Sequence, residues 1–134
     1  MDCEEGALAT FPEADVGSPA KADGWSKKQI LGHLIDSASN NHQRFVRALL
    51  TEELRFPAYD TPGNVRVQHY QEAAWPDLVR LWAAYNRLLS HIIARIPESK
   101  LTTQCWIGDN PPMSLGDLAD DYVRHLDHHL QQLH

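Results

Sequence analysis

Hydrophobic residues recur at spacings of three and four along three stretches of the chain, which is the period of an amphipathic α-helix. These stretches predict helices over residues 26–50, 76–96 and 114–133. The stripe of the last helix is unusual because it includes two histidines; its members are Leu115, Leu118, Tyr122, His125, Leu126, His129 and Leu133. Three amphipathic stripes in so short a chain indicate a helical bundle.

Helix-capping residues stand at the start of two of these helices. Ser26 and Gln29 form an S-x-x-Q capping box, in which each side chain bonds a backbone amide that the first turn leaves free. Ser114 and Asp117 supply an S-x-x-D cap for the last helix. Pro76 suits the first turn of the middle helix, where its missing N–H is not needed.

The segments between the helices carry turn residues and no clear strand pattern. Residues 51–74 contain two prolines and a glycine, and they predict a long connection with a helical turn or two near residues 65–70. Residues 98–113 include the run Gly-Asp-Asn-Pro-Pro and predict an irregular loop. Since no pair of strands is predicted, the expected fold class is all-α.

The N-terminal segment is interrupted by Pro12 and Pro19. Residues 1–24 are poorly patterned and leave room for about two helical turns near residues 2–11. We therefore expect a single domain over residues 1–134, built as an antiparallel helical bundle with a short N-terminal helix. Such a helix would leave apolar surface on the long helices uncovered, which predicts a homodimer.

Composition narrows the class of protein. The net charge is −6 with histidine neutral, whereas a surface that binds nucleic acid needs clustered positive charge. No apolar run approaches the length of about 20 residues that a membrane span requires. The acidic start, Met1 to Glu5, does not resemble a signal peptide, and two cysteines make no disulfide framework. We expect a cytoplasmic protein that binds neither nucleic acid nor membranes.

Histidines provide the candidate chemistry. The chain has 8, and His125 and His129 are four residues apart on one face of the last helix, where two imidazoles can bind one metal ion. Placed at about 100° per residue, both fall in the middle of the apolar stripe. Imidazoles facing a core must be hydrogen-bonded or bind something. A pair of hydrogen-bonded core histidines is therefore the alternative to a metal site.

A third metal ligand has to come from another helix. On the helix over residues 26–50, one edge of the apolar face is a polar line, formed by His33, Ser37, Asn41 and Arg44. His33 is the best candidate on this line, although a lone histidine at such an edge is otherwise a solvent-facing residue. His69 and His91 lie in a connection and on the far side of a helix, so we assign them no role.

Motifs around these histidines carry a family resemblance. Trp25-Ser26 is followed by Gly32-His33-Leu34 and then by Asn40-Asn41-His42-Gln43-Arg44-Phe45, and the last helix contains an H-x-x-x-H pair. This combination resembles the DinB/YfiT-like metal-binding proteins, over roughly residues 25–133. The resemblance implies an all-α fold, an up-down-down-up or antiparallel four-helix bundle that is often dimeric, with nickel or zinc on three histidines. By position these histidines are His33, His125 and His129. Compared with that family, this chain has a shortened N-terminal helix.

The resemblance also implies a function. Characterised relatives include thiol S-transferases, and others are described as metal-dependent hydrolases. We therefore expect a metal-dependent enzyme of the thiol S-transferase type that acts on a small molecule, with a low-molecular-weight thiol as the candidate partner. Asn41, Arg44 and Tyr122 are the candidates for contacting substrate. The alternative is a non-catalytic bundle dimer that the metal or the histidines merely order.

Overall fold

The computed structural model describes residues 2–18 and 24–134. Residue 1 and residues 19–23 of the poorly patterned segment lie outside this part. Six α-helices occur in the described residues: α1 (Asp2–Ala9), α2 (Glu13–Val16), α3 (Lys27–Leu50), α4 (Thr61–Val67), α5 (Trp75–Ile93) and α6 (Leu115–Leu133). The three long helices, α3, α5 and α6, confirm the three predicted stripes to within three residues at each end.

Both predicted N-terminal caps are formed. The hydroxyl of Ser26 accepts a hydrogen bond from the backbone N–H of Gln29 at 3.2 Å, and the Gln29 side chain accepts one from the Ser26 N–H at 3.0 Å. Ser114 accepts from the N–H of Asp117 at 3.1 Å. These bonds fix the first turns of α3 and α6, the two helices on which the candidate histidines lie.

A small sheet joins the segments that were expected to be irregular. Its strands are β1 (Glu53–Phe56), β2 (Gln104–Ile107) and β3 (Met113–Ser114), in the order β1-β2-β3. β1 and β2 are parallel, with Leu54 opposite Cys105, and β2 and β3 are antiparallel. The all-α prediction therefore holds for the bundle but not for these connections. The strands are too short to show a period of two, and β1 pairs with a segment far along the chain.

Helix α3 is the centre of the bundle and packs against both α5 and α6, while α1 packs against α5. The short N-terminal helix was predicted, and it is part of the core. Leu8 and Val16 are fully buried, and the indole N–H of Trp75 donates to the carbonyl oxygen of Leu8 at 2.7 Å. Among the described residues, none of the helices has the combination of length and apolarity that crossing a bilayer demands.

Candidate metal centre

Three histidine side chains meet where α3 packs against α6. His33 lies in the second turn of α3, and His125 and His129 lie in the C-terminal half of α6. The Nε2 atom of His125 is 3.4 Å from that of His33 and 3.1 Å from that of His129. One ring nitrogen from each residue lies within 4.8 Å of the other two. The geometry therefore brings together the three histidines that the sequence singled out.

The three rings are packed edge to face. Their centroids are 5.1 Å apart for His33 and His125, 4.6 Å for His33 and His129, and 4.5 Å for His125 and His129. The ring of Trp25 lies 5.4 Å from that of His33. Trp25 belongs to the motif that precedes α3, so this motif places an aromatic wall beside the cluster.

Burial differs across the cluster in a way that the sequence pattern did not predict. His33 is only 4% exposed, although its place at the edge of the α3 stripe suggested a solvent-facing residue. His129 is half-buried and His125 is exposed, so the prediction that both occupy the middle of the buried face is wrong. Leu126 and Leu130 occupy that face instead. The cluster thus has a closed side at α3 and an open side at α6.

The surroundings of His33 and His125 favour the neutral form of both imidazole rings. Burial lowers the pKa of His33 from 6.5 to about 4, with further contributions from His129 and His125. The pKa of His125 is also lowered, first by desolvation of its ring and then by His129 and His128. A metal ion requires the neutral form of each imidazole ligand. Neutral pH therefore presents His33 and His125 in the form that binds a metal.

A hydrogen bond at the other ring nitrogen of His129 directs its Nε2 atom toward the cluster. The Nδ1 atom of His129 is 2.8 Å from the amide oxygen of Gln132, which can only accept a hydrogen bond. This contact assigns the proton to Nδ1 and leaves the Nε2 lone pair of His129 facing the cluster. The Nδ1 atom of His33 is buried and has no hydrogen-bond partner among the described residues. Three imidazole donors arranged in this way form a donor set that suits a divalent metal ion of the zinc or nickel type.

A cavity of about 400 Å³ adjoins the cluster, and His125 forms part of its wall. Helix α3 contributes Ser37, Asn41 and Arg44, the next three members of the polar line that begins at His33. The rest of the wall comes from α6, from the segment after β1 and from the region of β2 and β3; it includes Tyr59, Ile107, Asn110, Met113, Leu118, Asp121 and Tyr122. The cavity and the histidines therefore form one continuous site.

The three residues suggested for substrate contact all line this cavity. Asn41 donates from its amide nitrogen to the carbonyl oxygen of Ser37 at 2.8 Å. The hydroxyl of Tyr122 donates to the side-chain oxygen of Asn86, and burial raises the pKa of that hydroxyl. Arg44 is 9% exposed, and its guanidinium group lies 6.0 Å from the ring centre of Tyr59. Of the three side chains, Arg44 alone carries charge into the cavity.

Sequence reasoning missed the cavity wall that the connections supply. Tyr59 and Met113 carry no periodic signal, and they reach the cavity because the small sheet holds the two connections together.

The residues to which the sequence analysis assigned no role lie outside the histidine cluster and the cavity wall. His91 is exposed on α5, and His69 is exposed after α4. Cys105 is fully buried and burial raises its thiol pKa, as suits a structural thiol.

The fold and the site together are those of a small helical-bundle protein in which three histidines, a donor set that suits a metal ion, converge beside a cavity. The chain belongs to the DinB superfamily, since the model of that family matches residues 5–133. This match extends from α1 to the end of α6, and it includes every residue of the histidine cluster and the cavity wall.

Relatives of this chain carry names that refer to a metal. A Bacillus pumilus protein named "putative metal-dependent hydrolase" is 25% identical over 129 residues, which cover 96% of this chain and 74% of that protein. Bacillus subtilis YfiT, which has the same description, is 32% identical over 72 residues, covering 54% of this chain and 34% of YfiT.

The fold is similar to that of a solved structure. Bacillus subtilis YfiT matches with a TM-score of 0.83 at 20% identity, and the match covers 97% of this chain and 77% of that one. That structure is described as "a probable metal-dependent hydrolase with an unusual four-helix bundle topology". The two folds are therefore similar over almost the whole length of this chain.

Proposed function

We propose that this protein is a metal-dependent enzyme that holds one divalent ion, zinc or nickel, on His33, His125 and His129. The observation that carries the proposal is the approach of three Nε2 atoms from two helices. The Nε2 atom of His125 is 3.4 Å from that of His33 and 3.1 Å from that of His129. Zinc–imidazole bonds are about 2.0–2.1 Å long. Ligand nitrogens on one ion are consequently about 3–3.5 Å apart, close to the two separations in this cluster.

Three protein ligands favour a catalytic site over a structural one. Structural zinc sites are usually closed by four protein ligands, whereas catalytic sites have three and keep a position for a small molecule. An ion bound in this way lowers the pKa of water or of a thiol, which supplies a nucleophile at neutral pH. The exposed side of the cluster, at His125, adjoins the cavity in which the second reactant would lie.

The first candidate reaction is thiol S-transfer to a small electrophilic molecule, because the sequence resembles a family that includes thiol S-transferases. The names of the relatives favour hydrolysis as the second candidate. In either reaction the residues of this chain have the same tasks. The histidines hold the ion, the aromatic and apolar wall excludes water, and Asn41 and Arg44 orient the small molecule.

Metal analysis of the purified, untagged protein tests this proposal. We expect about one zinc or nickel ion per chain in the wild type and none in His125→Ala, because two remaining imidazoles hold an ion too weakly to survive dialysis. His91→Ala is the matched control, since it removes an exposed histidine from α5, and it should keep the full metal content. Equal metal content in the wild type and His125→Ala contradicts the proposal.

The metal-loaded protein then separates the two reactions. Disappearance of a thiol together with an electrophile such as monochlorobimane indicates S-transfer, and release of p-nitrophenol from a p-nitrophenyl ester without thiol indicates hydrolysis. Either activity should be lost in His125→Ala and kept in His91→Ala. A protein that binds the metal and has neither activity, nor any other turnover, supports the non-catalytic alternative.

A further inference from the structure

Arg44 is a buried cation that has no counterion in the described part of the chain. Its residue is 9% exposed, and its Nε atom is buried with no hydrogen-bond partner among the described residues. Within the same part of the chain, no carboxylate lies within ion-pair distance of its guanidinium group. Burying an unpaired charge is costly, and arginine does not escape this cost by losing its proton. A bound anion that is not part of the chain would neutralise the buried charge of Arg44.

The guanidinium group is held at the wall of the cavity by aromatic side chains. It lies 5.4 Å from the ring centre of Phe56 and 6.0 Å from that of Tyr59. Phe56 ends β1, and Tyr59 follows it in the connection that the sheet fixes. Because the rings occupy space beside this group without accepting strong hydrogen bonds, its N–H groups remain for a ligand in the cavity.

Among the described residues, the cavity wall offers Arg44 no unpaired carboxylate. Asp121 is the single carboxylate among the described residues that line the cavity, and it forms an ion pair with Arg124 on the surface of α6. The other polar wall residues are neutral hydroxyls and amides, such as Ser37 and Asn41. Of the described wall residues, Arg44 is the one that carries a positive charge at neutral pH, since the imidazole of His125 is neutral there.

Spacing along α3 separates Arg44 from the histidine cluster. The two residues His33 and Arg44 are eleven positions apart, which corresponds to about 16 Å along the helix axis. Helical side chains lean toward the N-terminus, so the guanidinium group reaches back toward the cluster and shortens this span. Ser37 and Asn41 lie between them on the same line.

We infer that the substrate carries a carboxylate group that binds Arg44 at one end of the cavity, while its reacting group lies at the histidine cluster. This inference rests on the proposed function and adds the class of substrate. One planar guanidinium group matches a monoanionic carboxylate through two parallel hydrogen bonds. A phosphate dianion would require more positive charge than a single arginine supplies in a protein of net charge −6.

Calorimetric titration with two matched probes tests the inference. 6-Mercaptohexanoate and 6-mercaptohexanamide have the same thiol and chain, and they differ only in the charge of the far end. The wild type should bind the carboxylate at least about tenfold more tightly, because charge-assisted bidentate hydrogen bonds are among the strong ones. Arg44→Gln should abolish this preference, and Arg44→Lys should restore part of it. Inorganic phosphate should not compete with the carboxylate.

Arg47→Gln is the matched control. Arg47 is an exposed cation one turn further along α3, and it lies 5.6 Å from the same Phe56 ring without lining the cavity. It should leave the preference unchanged. Equal affinity for the two probes in the wild type, a preference that survives Arg44→Gln, or tighter binding of phosphate overturns the inference. If Arg44→Gln does not fold, the wild-type ratio and Arg44→Lys decide.

Metal content, measured on the same samples before and after a chelator, separates the two proposals. Removal of the metal should weaken both probes by the same factor and leave their ratio intact. A protein that holds the metal but does not discriminate between the probes contradicts only the role of Arg44. A protein that discriminates between them without ever holding a metal contradicts only the metal centre.

Discussion

At the scale of single residues, the histidine cluster shows how burial prepares a side chain for a ligand. His33 is the most enclosed of the three rings, and the lowered pKa follows first from that burial. Keeping His33 neutral prevents the electrostatic repulsion that a protonated ring would have with its neighbours. The same arrangement makes the folded state sensitive to acid.

The stability of the metal-free protein should therefore depend on pH through His33. Its pKa is about 4 in the folded state and 6.5 in the ordinary reference state, so the unfolded chain takes up the proton first as the pH falls. Stability should be independent of this group well above the reference pKa of 6.5 and should decrease toward the folded-state pKa of about 4, by about 2 kcal/mol between pH 7 and pH 5. Urea unfolding at several pH values with a chelator present measures this dependence.

The His33→Asn variant provides the comparison for that measurement. Asparagine does not titrate, so the decrease in stability between pH 7 and pH 5 should be smaller than in the wild type. His69→Asn, which changes an exposed histidine, should retain the full decrease. An identical pH dependence in the wild type and His33→Asn would show that His33 is not responsible.

Gly32, next to His33, is required by close packing. A Cβ atom at this position would lie 2.1 Å from the Cδ2 atom of Tyr70, and the Tyr70 hydroxyl is tied to Asp36 by a hydrogen bond of 2.6 Å. The ring cannot move aside without breaking that buried bond. Gly32→Ala should therefore destabilise the fold by about 1–3 kcal/mol, although alanine is the better helix former.

Gly116→Ala is the control for Gly32→Ala, because it makes the same change near the start of α6. There the nearest atom to the added Cβ is the carbonyl oxygen of Leu101 at 3.5 Å, an ordinary contact. We expect this variant to be more stable by about 0.5–1 kcal/mol. Thermal or urea unfolding measures both variants, and equal effects of the two substitutions would disprove the packing argument.

At the scale of elements, the start of α3 combines a local and a long-range contact. Ser26 caps the helix through the N–H of Gln29, and its hydroxyl also donates to the side-chain oxygen of Gln71 at 2.6 Å. Since Gln71 follows α4 in the chain, a single hydroxyl ties the first turn of α3 to a distant connection. This first turn directly precedes the turn of α3 that carries His33.

Ser26→Ala should lower the free energy of unfolding by about 1–2 kcal/mol, because it removes the cap and leaves the partner of the second bond unpaired. Ser39→Ala is the comparison, since Ser39 is exposed in the middle of the same helix, and it should change stability by less than about 0.5 kcal/mol. Chemical denaturation measures both. A neutral Ser26→Ala variant would show that the capping box contributes little here.

At the scale of the whole molecule, dimerisation stays a prediction that the exposed face of α5 supports. Leu8 and Val16 are fully buried, so the short N-terminal segment covers more of the core than expected. Leu81 and Leu88, two turns apart on α5, remain 50% and 43% exposed. Neighbouring apolar side chains of this size on one face favour association with a second copy.

Sedimentation equilibrium at micromolar concentration should accordingly give twice the chain mass of 15.2 kDa. The double variant Leu81→Glu and Leu88→Glu should shift the protein to the monomer, because it places four charges in a two-fold interface. Leu101→Glu, at an exposed leucine outside α5, should remain dimeric. A wild-type monomer at these concentrations would contradict the prediction.

The sequence alone determined the long helices, their caps and the identity of the clustered histidines. Amphipathic periods and capping boxes are local features, and the helical period fixes which side chains share a face. The spacing of His125 and His129 places both on one side of α6, which made them candidates for a ligand pair and left hydrogen-bonded core histidines as the alternative. His33 followed from its place on the edge of the facing helix, together with the motif around it.

Only the tertiary structure decided how the site is enclosed. The small sheet forms between segments distant in the chain, and it brings Tyr59 and Phe56 to the cavity and to Arg44 at its wall. Burial of His33 and Arg44, and exposure of His125, depend on which elements pack over each helix face rather than on the period of that face. Long-range contacts set these environments, because a local pattern defines an angular position on a helix but not what covers it.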